Sequence, residues 1–239
     1  YVCIPETNVI PIDESLPEDG VAFFDAFGNA THTALMFPLI GEDVLITGAG
    51  PVGILAVAIA KYAGARRVVV TDLNDYRLGL ALKMGADAAI NSAKQDLTLA
   101  MKEQGLVEGF DVGFEMSGSG AALHQMIGVM RNGGKISLLG LGNGPVQMDM
   151  NLVIGKGLTL QGIYGRKMDN WHQMSYMVQG GLDVSPVITH RFHYTEFEQG
   201  FAAMNKEMKA ALEFLNMPGI RFALKHARGP LLSLIHISE

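Results

Sequence analysis

A glycine-rich turn, Gly48-Ala-Gly50-Pro-Val-Gly53, contains the residue types and the spacing that bind phosphate. The first glycine permits a sharp turn, the second lets the backbone approach a pyrophosphate, and the third lets a helix pack closely on a strand. The N-terminus of that helix would offer N–H groups and the positive end of its dipole to the phosphates. A purely structural turn is the alternative, because this spacing also occurs by chance.

An acidic residue, Asp72, ends the next β-rich run about 20 residues further on, where dinucleotide-binding proteins hold a ribose. Its carboxylate would accept hydrogen bonds from both ribose hydroxyls and would repel a 2′-phosphate, which favours NAD over NADP. Arg77, one turn into the following helix, would reach the same ribose or pair with Asp72, so NADP stays open. The structural alternative for Asp72 is the N-cap of that helix.

These residues need a sheet to position them, and short apolar runs alternate with helical patterns from residue 43 onward. Strands are predicted at 43–48, 67–72, 88–91, 110–116, 135–140 and 158–164, and helices at 52–63, 75–84, 95–104 and 121–130. Near-continuous apolar strands that alternate with helices indicate a parallel sheet covered on both faces. We therefore predict an α/β fold with a doubly wound, six-stranded parallel sheet of the Rossmann type.

The carboxyl ends of the later strands are where this fold binds its ligand. Glycines follow the fourth, fifth and sixth predicted strands, at Gly118, Gly140 and Gly165. We expect the backbone of Leu139, Gly140 and Leu141, and that of Ile163 and Tyr164, to border the nicotinamide. Ordinary turns between strands and helices are the alternative at these positions.

The segments on either side of the predicted sheet have different patterns. Residues 1–24 are rich in proline and are predicted to be extended. A helix at 171–179 and a strand-like run at 187–192 follow the sheet. A further helix at 195–204 would begin with a capping box of Thr195 and Glu198.

Composition and charge exclude several classes of protein. Hydrophobic residues make up 49% of the 239 residues and charged residues 18%, which rules out a disordered chain. The chain has 24 acidic and 18 basic residues without a basic cluster, so nucleic acid is not expected as a partner. The only cysteine, Cys3, excludes an internal disulfide framework and fits the cytoplasm. The apolar run 44–60 is broken by glycine and proline and is too short to span a bilayer comfortably, so no membrane partner is expected.

Four longer motifs occur in a fixed order along the chain. They are Phe24-Asp-Ala-Phe-Gly-Asn-Ala-Thr-His-Thr-Ala-Leu35, Glu115-Met-Ser-Gly118, Gly162-Ile-Tyr-Gly-Arg166 and Ile188-Thr-His-Arg-Phe192. From residue 1 to about residue 206, the chain resembles the threonine-oxidising branch of the zinc-dependent medium-chain dehydrogenases. The resemblance implies oxidation of the 3-hydroxyl of L-threonine, or of a similar small hydroxy substrate, with NAD. The product from threonine would be 2-amino-3-oxobutanoate.

The resemblance also assigns roles to individual residues. Those at the family's NAD-contacting positions are Val52, Asp72, Arg77, Leu139, Gly140, Leu141, Ile163 and Tyr164. Asp25 stands where the family has an acidic residue beside the catalytic zinc, and a carboxylate near a metal-bound hydroxyl can pass its proton. Full-length relatives commonly form tetramers through this domain, so the resemblance implies a homotetramer.

The zinc ligands of the family are not found in this sequence, because its GroES-like catalytic domain would precede residue 1. His190 and His193 would point to opposite faces of a strand and make a poor metal pair. We therefore expect a fragment that binds NAD and has little activity of its own. Its expected parts are a catalytic-domain remnant (1–28), the NAD-binding domain (29–166), a return to the catalytic domain (167–206) and a tail of non-native origin (207–239).

Two other functions stay open at this stage. Polyol and diol dehydrogenases of the same superfamily share the glycine turn and the strand pattern, although they match the last two motifs less well. A non-catalytic NAD-binding module would need no metal ligands, which this sequence already permits.

Overall fold

A six-stranded sheet runs through the computed structural model, which describes residues 3–207. Its strands are β1 (Asp43–Thr47), β2 (Arg67–Asp72), β3 (Ala88–Asn91), β4 (Phe110–Glu115), β5 (Met130–Leu138) and β6 (Thr159–Gly162). The spatial order is β3-β2-β1-β4-β5-β6, and every neighbouring pair is parallel. The predicted doubly wound sheet is confirmed, and its strand order reverses between β1 and β4. A crevice at that reversal is where such sheets bind ligands.

Helices and 3₁₀ turns connect the strands and flank them. The helices are α1 (Glu18–Val21), α2 (Phe24–Ala34), α3 (Pro51–Tyr62), α4 (Asp75–Lys83), α5 (Leu97–Glu103), α6 (Gly120–Val129), α7 (Met150–Gly155), α8 (Met168–Gln179) and α9 (Phe197–Glu207). The 3₁₀ turns are Glu6–Asn8, Ser185–Val187 and Tyr194–Glu196. The predictions for 1–24 and 121–166 therefore missed the short helices α1 and α7.

Two hydrophobic clusters cover the two faces of the sheet. On β1, Val44 and Ile46 belong to the cluster that includes α2 and α3, whereas Leu45 belongs to the cluster that includes α5 and α6. This division follows from the alternation of side chains along a strand. All five residues of β1 are buried, which is typical of a central parallel strand.

Aromatic residues pack α2 against α8. The ring of Phe24 lies 5.8 Å from that of Phe27 and 6.5 Å from that of Trp171. Because α2 spans Phe24–Ala34, the predicted boundary between residues 28 and 29 lies inside a single helix. The division of the chain into parts stays a prediction, and most of its predicted tail, 208–239, lies outside the described residues.

Helix α6 passes directly into β5 with no loop between them, since Val129 ends the helix and Met130 begins the strand. The ammonium group of Lys156 donates hydrogen bonds to the carbonyl oxygens of Ile127 (3.2 Å), Gly128 (2.7 Å) and Met130 (2.7 Å). The carbonyl groups of Ile127 and Gly128 lie in the last turn of the helix, where carbonyl groups lack partners within the helix, and that of Met130 lies at the start of β5. One cation therefore secures the junction, and burial lowers the pKa of that ammonium.

Two local predictions beyond the sheet are wrong. Residues 187–192 do not form a strand, because Pro186 lies in a 3₁₀ turn and no sheet edge pairs with the run in the described part of the chain. The capping box forms two residues earlier than expected, with the His193 ring accepting from the N–H of Thr195 and Glu196 accepting from the N–H of His193. The ring of His193 thus provides the cap acceptor in place of the Thr195 hydroxyl.

Candidate functional site

The glycine turn lies between β1 and α3, where the two halves of the sheet meet. Gly48 has a φ of +94°, which favours glycine, and a Cβ there would lie 3.0 Å from the backbone nitrogen of Ser117. A Cβ on Gly53 would overlap the carbonyl oxygen of Gly48. Glycine is therefore required at both positions, for the turn itself and for close packing of the helix on the turn.

The first turn of α3 presents backbone N–H groups at this edge of the sheet. Gly50 is the N-cap residue and provides no side-chain cap, and Pro51 at the first position has no N–H group. The N–H groups of Val52 and Gly53 are therefore the first donors of the helix. A dinucleotide pyrophosphate at this position would meet both donors and the positive end of the helix dipole.

The carboxylate of Asp72, at the end of β2, connects the glycine turn to the second strand. Its Oδ2 accepts from the N–H of Ala49 (2.7 Å), and its Oδ1 accepts from those of Leu73 (2.7 Å) and Asn74 (2.8 Å). A carboxylate has about four acceptor sites, so at least one is left for a ribose hydroxyl. Asp72 therefore holds the turn in place and still has acceptor capacity for a ligand.

The N-cap of α4 is Asn74, not Asp72, because its Oδ1 accepts from the N–H groups of Tyr76 (2.9 Å) and Arg77 (3.3 Å). The structural alternative considered for Asp72 is therefore wrong. Within the part of the chain that the structure describes, no ion pair joins Arg77 to Asp72. The choice between NAD and NADP stays a prediction that depends on these two side chains.

A buried carboxylate at the end of β4 was not included among the predicted site residues. Glu115 is only 3% exposed, and its Oε1 accepts from the Thr47 hydroxyl (3.3 Å) and from both the N–H (3.0 Å) and the hydroxyl of Ser117. Its Oε2 accepts from the N–H of Gly118 (3.2 Å). The side chain therefore connects the last residue of β1 to the loop after β4. The sequence signal was an acidic residue directly after the apolar residues Val112 to Phe114 at the end of a predicted strand.

The main chain of Glu115 also holds the segment after β5. Its carbonyl oxygen accepts from the N–H groups of Leu139 (2.9 Å) and Gly140 (3.0 Å), and a Cβ on Gly140 would lie 2.7 Å from its Oε2. The side chain of Leu141 is 81% exposed, so it lies open beside this contact. Glu115 therefore brings together three parts of the carboxyl edge of the sheet: the end of β1, the loop after β4 and the segment after β5.

The predicted residues after β6 lie next to the same edge. The N–H of Ile163 donates to the carbonyl oxygen of Leu138 (2.8 Å), and the side chain of Tyr164 is 89% exposed. A cavity of about 340 Å³ opens between the loops that follow β4 and β5, with Gly118, Gly142 and Val146 in its lining. The carboxyl edge of the sheet thus has an exposed residue after β6 and a concave surface between the loops after β4 and β5.

The predicted proton-relay residue, Asp25, lies in the first turn of α2 and forms an ion pair with Arg166. The same guanidinium donates to the Asp25 carbonyl oxygen (3.2 Å). A Cβ on Gly28 would lie 2.6 Å from the Arg166 Cδ, and the His32 ring nitrogen lies 3.0 Å from the Gly165 carbonyl oxygen. Two of the motifs singled out in the sequence, 24–35 and 162–166, are therefore in direct contact.

The described part of the chain contains neither a candidate metal cluster nor a candidate membrane span. No three His, Cys, Asp or Glu side chains lie close enough together there to hold a metal ion. None of the described helices is long and apolar enough to cross a bilayer.

Comparison with known proteins places this geometry among dehydrogenases. A sequence model of zinc-binding dehydrogenases matches residues 51–180. L-threonine 3-dehydrogenase from Anaeromyxobacter sp. (strain Fw109-5) is 57% identical over 205 residues, which are 85% of this chain and 60% of that protein. The chain thus spans less than two thirds of the length of this curated relative.

Solved structures share the fold at lower identity. L-idonate 5-dehydrogenase from Escherichia coli is 28% identical, with a TM-score of 0.75 over 84% of this chain and 58% of that one. A structure described as a short chain alcohol dehydrogenase from Escherichia coli CFT073, complexed with NADH, is 22% identical, with a TM-score of 0.79. That match covers 86% of this chain and 61% of the other.

Proposed function

Because the chain belongs to the zinc-binding dehydrogenase family, we propose that it is the NAD-binding part of an enzyme that oxidises L-threonine to 2-amino-3-oxobutanoate. The observation that carries this proposal is the 57% identity, over 85% of the chain, to an L-threonine 3-dehydrogenase. The identity to the L-idonate 5-dehydrogenase is 28%, which favours threonine over a polyol as the substrate. L-threonine or a similar small hydroxy compound is therefore the substrate class, and a homotetramer in the cytoplasm is the expected setting.

The residues at the carboxyl edge of the sheet fit NAD. The N–H groups at the start of α3 would hold the pyrophosphate, and the remaining acceptor capacity of Asp72 would hold the adenosine ribose. The backbone of Leu139, Gly140 and Leu141 would border the nicotinamide half, as would Ile163 and Tyr164. Bound NAD supplies the hydride acceptor. The chain's own residues would orient it.

Asp25 is proposed to hold or pass the proton of the substrate hydroxyl. Arg166 engages its Oδ1, and in the described part of the chain its Oδ2 accepts no hydrogen bond. A carboxylate oxygen in that state can accept a proton from a neighbouring hydroxyl or water. The described residues include no set of ligands for the family's zinc. The steps proposed for this chain are therefore cofactor binding and proton transfer. We expect little oxidation of threonine by the chain alone.

Cofactor binding is the direct test of this function. NADH titrated into the 239-residue chain should quench the fluorescence of its single tryptophan, Trp171. We expect Asp72→Ala to weaken NADH binding about tenfold, because the hydrogen bond to the ribose and the brace on the glycine turn are both lost. It should also reduce the preference for NADH over NADPH.

Asp96→Ala is the matched control, because Asp96 is an aspartate that accepts backbone N–H groups at the start of α5. It should lose helix stability and keep the affinity for NADH. Absence of NADH binding by the unaltered chain would contradict the proposed function. Equal weakening by both variants would contradict the role of Asp72.

A further inference from the structure

Glu115 lies on the side of the switch point opposite to Asp72. Asp72 ends β2, whereas Glu115 ends β4, and the two strands flank β1 on either side. A dinucleotide with its pyrophosphate at the start of α3 and its adenosine at Asp72 must extend its other half across β4 and β5. The Glu115 carboxylate, in register with Thr47 of β1, would therefore lie beneath the nicotinamide half.

The negative charge of Glu115 has no cationic partner in the described part of the chain. Its hydrogen-bond donors are two hydroxyl groups and two backbone N–H groups, all of them neutral. Buried carboxylates are normally paired, because taking a charge out of water costs free energy. A cation that binds next to Glu115 would therefore gain an attraction that no side chain of this region already uses.

The two forms of the cofactor differ in this respect. The nicotinamide ring is positively charged in NAD⁺ and neutral in NADH, whereas the pyrophosphate and the adenosine are the same in both. We propose, resting on the function proposed above, that Glu115 holds the loops after β4 and β5 against the end of β1. We propose also that its charge makes the site favour NAD⁺ over NADH. The residue would thereby help to retain the oxidised cofactor and to release the reduced one.

The test measures the affinities of the full chain for NAD⁺ and NADH separately, by calorimetry and by fluorescence. In Glu115→Gln, we expect the affinity for NAD⁺ to fall about fivefold to tenfold more than the affinity for NADH. The reason is that a carboxylate attracts a nearby positive ring measurably at the effective dielectric of a protein. Asp72→Asn is the matched control, because it removes a carboxylate from the adenosine half. It should weaken both forms equally and leave their ratio unchanged.

A second variant covers the case in which Glu115→Gln does not fold. Ser117→Lys places an ammonium group beside the carboxylate at an exposed position, and it should shift the ratio in the same direction. A ratio that stays within about twofold of the unaltered chain in every folded variant would overturn the proposal and leave Glu115 a structural brace. Failure of the unaltered chain to bind either form would instead overturn the proposed function.

Discussion

The two edges of the sheet hold the acidic side chains of their strands in opposite ways. At the amino edge, Asp43 of β1 pairs with Arg66 through hydrogen bonds of 3.0 and 2.6 Å, and Asp111 of β4 pairs with Arg131. At the carboxyl edge, Asp72 and Glu115 accept hydrogen bonds only from neutral groups in the described part of the chain. The same strand, β4, carries one acidic residue of each kind. Asp111 is its second residue and Glu115 is its last.

This difference separates stability from function. A carboxylate neutralised by an arginine has its charge satisfied within the chain and contributes to holding strands together. A carboxylate that is hydrogen-bonded but not neutralised keeps an electric field that a ligand can use. The comparison therefore predicts that changes at the amino edge alter stability alone, and that changes at the carboxyl edge alter binding.

The largest effect is expected from Gly53→Ala at the carboxyl edge. The new Cβ would overlap the carbonyl oxygen of Gly48, so either the turn or α3 must move. We expect NADH affinity to fall about 100-fold, because the phosphate-binding N–H groups are displaced, and the free energy of unfolding to fall by about 3 kcal/mol. NADH titration and urea unfolding measure the two effects.

Gly79→Ala is the control for that variant. Gly79 lies in α4 with open space where its Cβ would be, so alanine should raise helix stability by about 0.5–1 kcal/mol without changing affinity. Unaltered NADH binding by Gly53→Ala would contradict the assignment of the phosphate site.

An intermediate effect, confined to stability, is expected from Asp111→Ala at the amino edge. The change removes the partner of Arg131 and the acceptor of the Asp43 N–H (2.7 Å). The free energy of unfolding should fall by about 2 kcal/mol, while NADH affinity stays within about twofold. Asp19→Ala, which breaks an exposed pair with Arg191, should change stability little. A large loss of affinity in Asp111→Ala would end the division between the two edges.

The smallest effect is expected from Glu42→Gln, also at the amino edge. Burial and the negative charge of Asp111 raise the pKa of the Glu42 carboxyl above its usual range. The folded chain then holds the Glu42 proton more tightly than the unfolded chain does. The free energy of unfolding therefore falls as the pH rises from the usual carboxyl pKa through the raised pKa of Glu42. Urea unfolding should show Glu42→Gln more stable than the unaltered chain by at most about 1 kcal/mol at about pH 7. The difference should vanish at about pH 4, and a less stable variant at neutral pH would show that Arg131 outweighs Asp111.

The pattern of apolar runs predicted the first half of the sheet well, from the buried strand β2 to the edge strand β3. The bounds of β2 and β3 agree with the prediction. The start of β5 was placed five residues late, since the pairing with β4 shifts register between Phe110 and Val112 and exposed polar residues occupy that part of β5. No periodic signal marks such an irregularity.

The site was harder to predict than the sheet, because its parts meet only in three dimensions. The spacing of the glycine turn and Asp72 is local, so the sequence alone suggests both as site residues. The position of Glu115 beside Thr47, Ser117 and Gly140 depends on the register of β1, β4 and β5, which one sequence does not reveal. The same holds for the contact between Asp25 and Arg166, whose side chains meet although 141 positions separate them.

The direct passage of α6 into β5 has a consequence for the entropy of ligand binding. The chain leaves the sheet after β4, re-enters it at β5 and leaves it again after Leu138, where a Cβ on Gly118 would overlap the carbonyl oxygen of Leu141. The helix, the strand and this contact therefore form a closed ring with no flexible joint at the α6–β5 junction. The conformational freedom of both backbones is lost during folding, so a ligand that lies across them does not have to order them again.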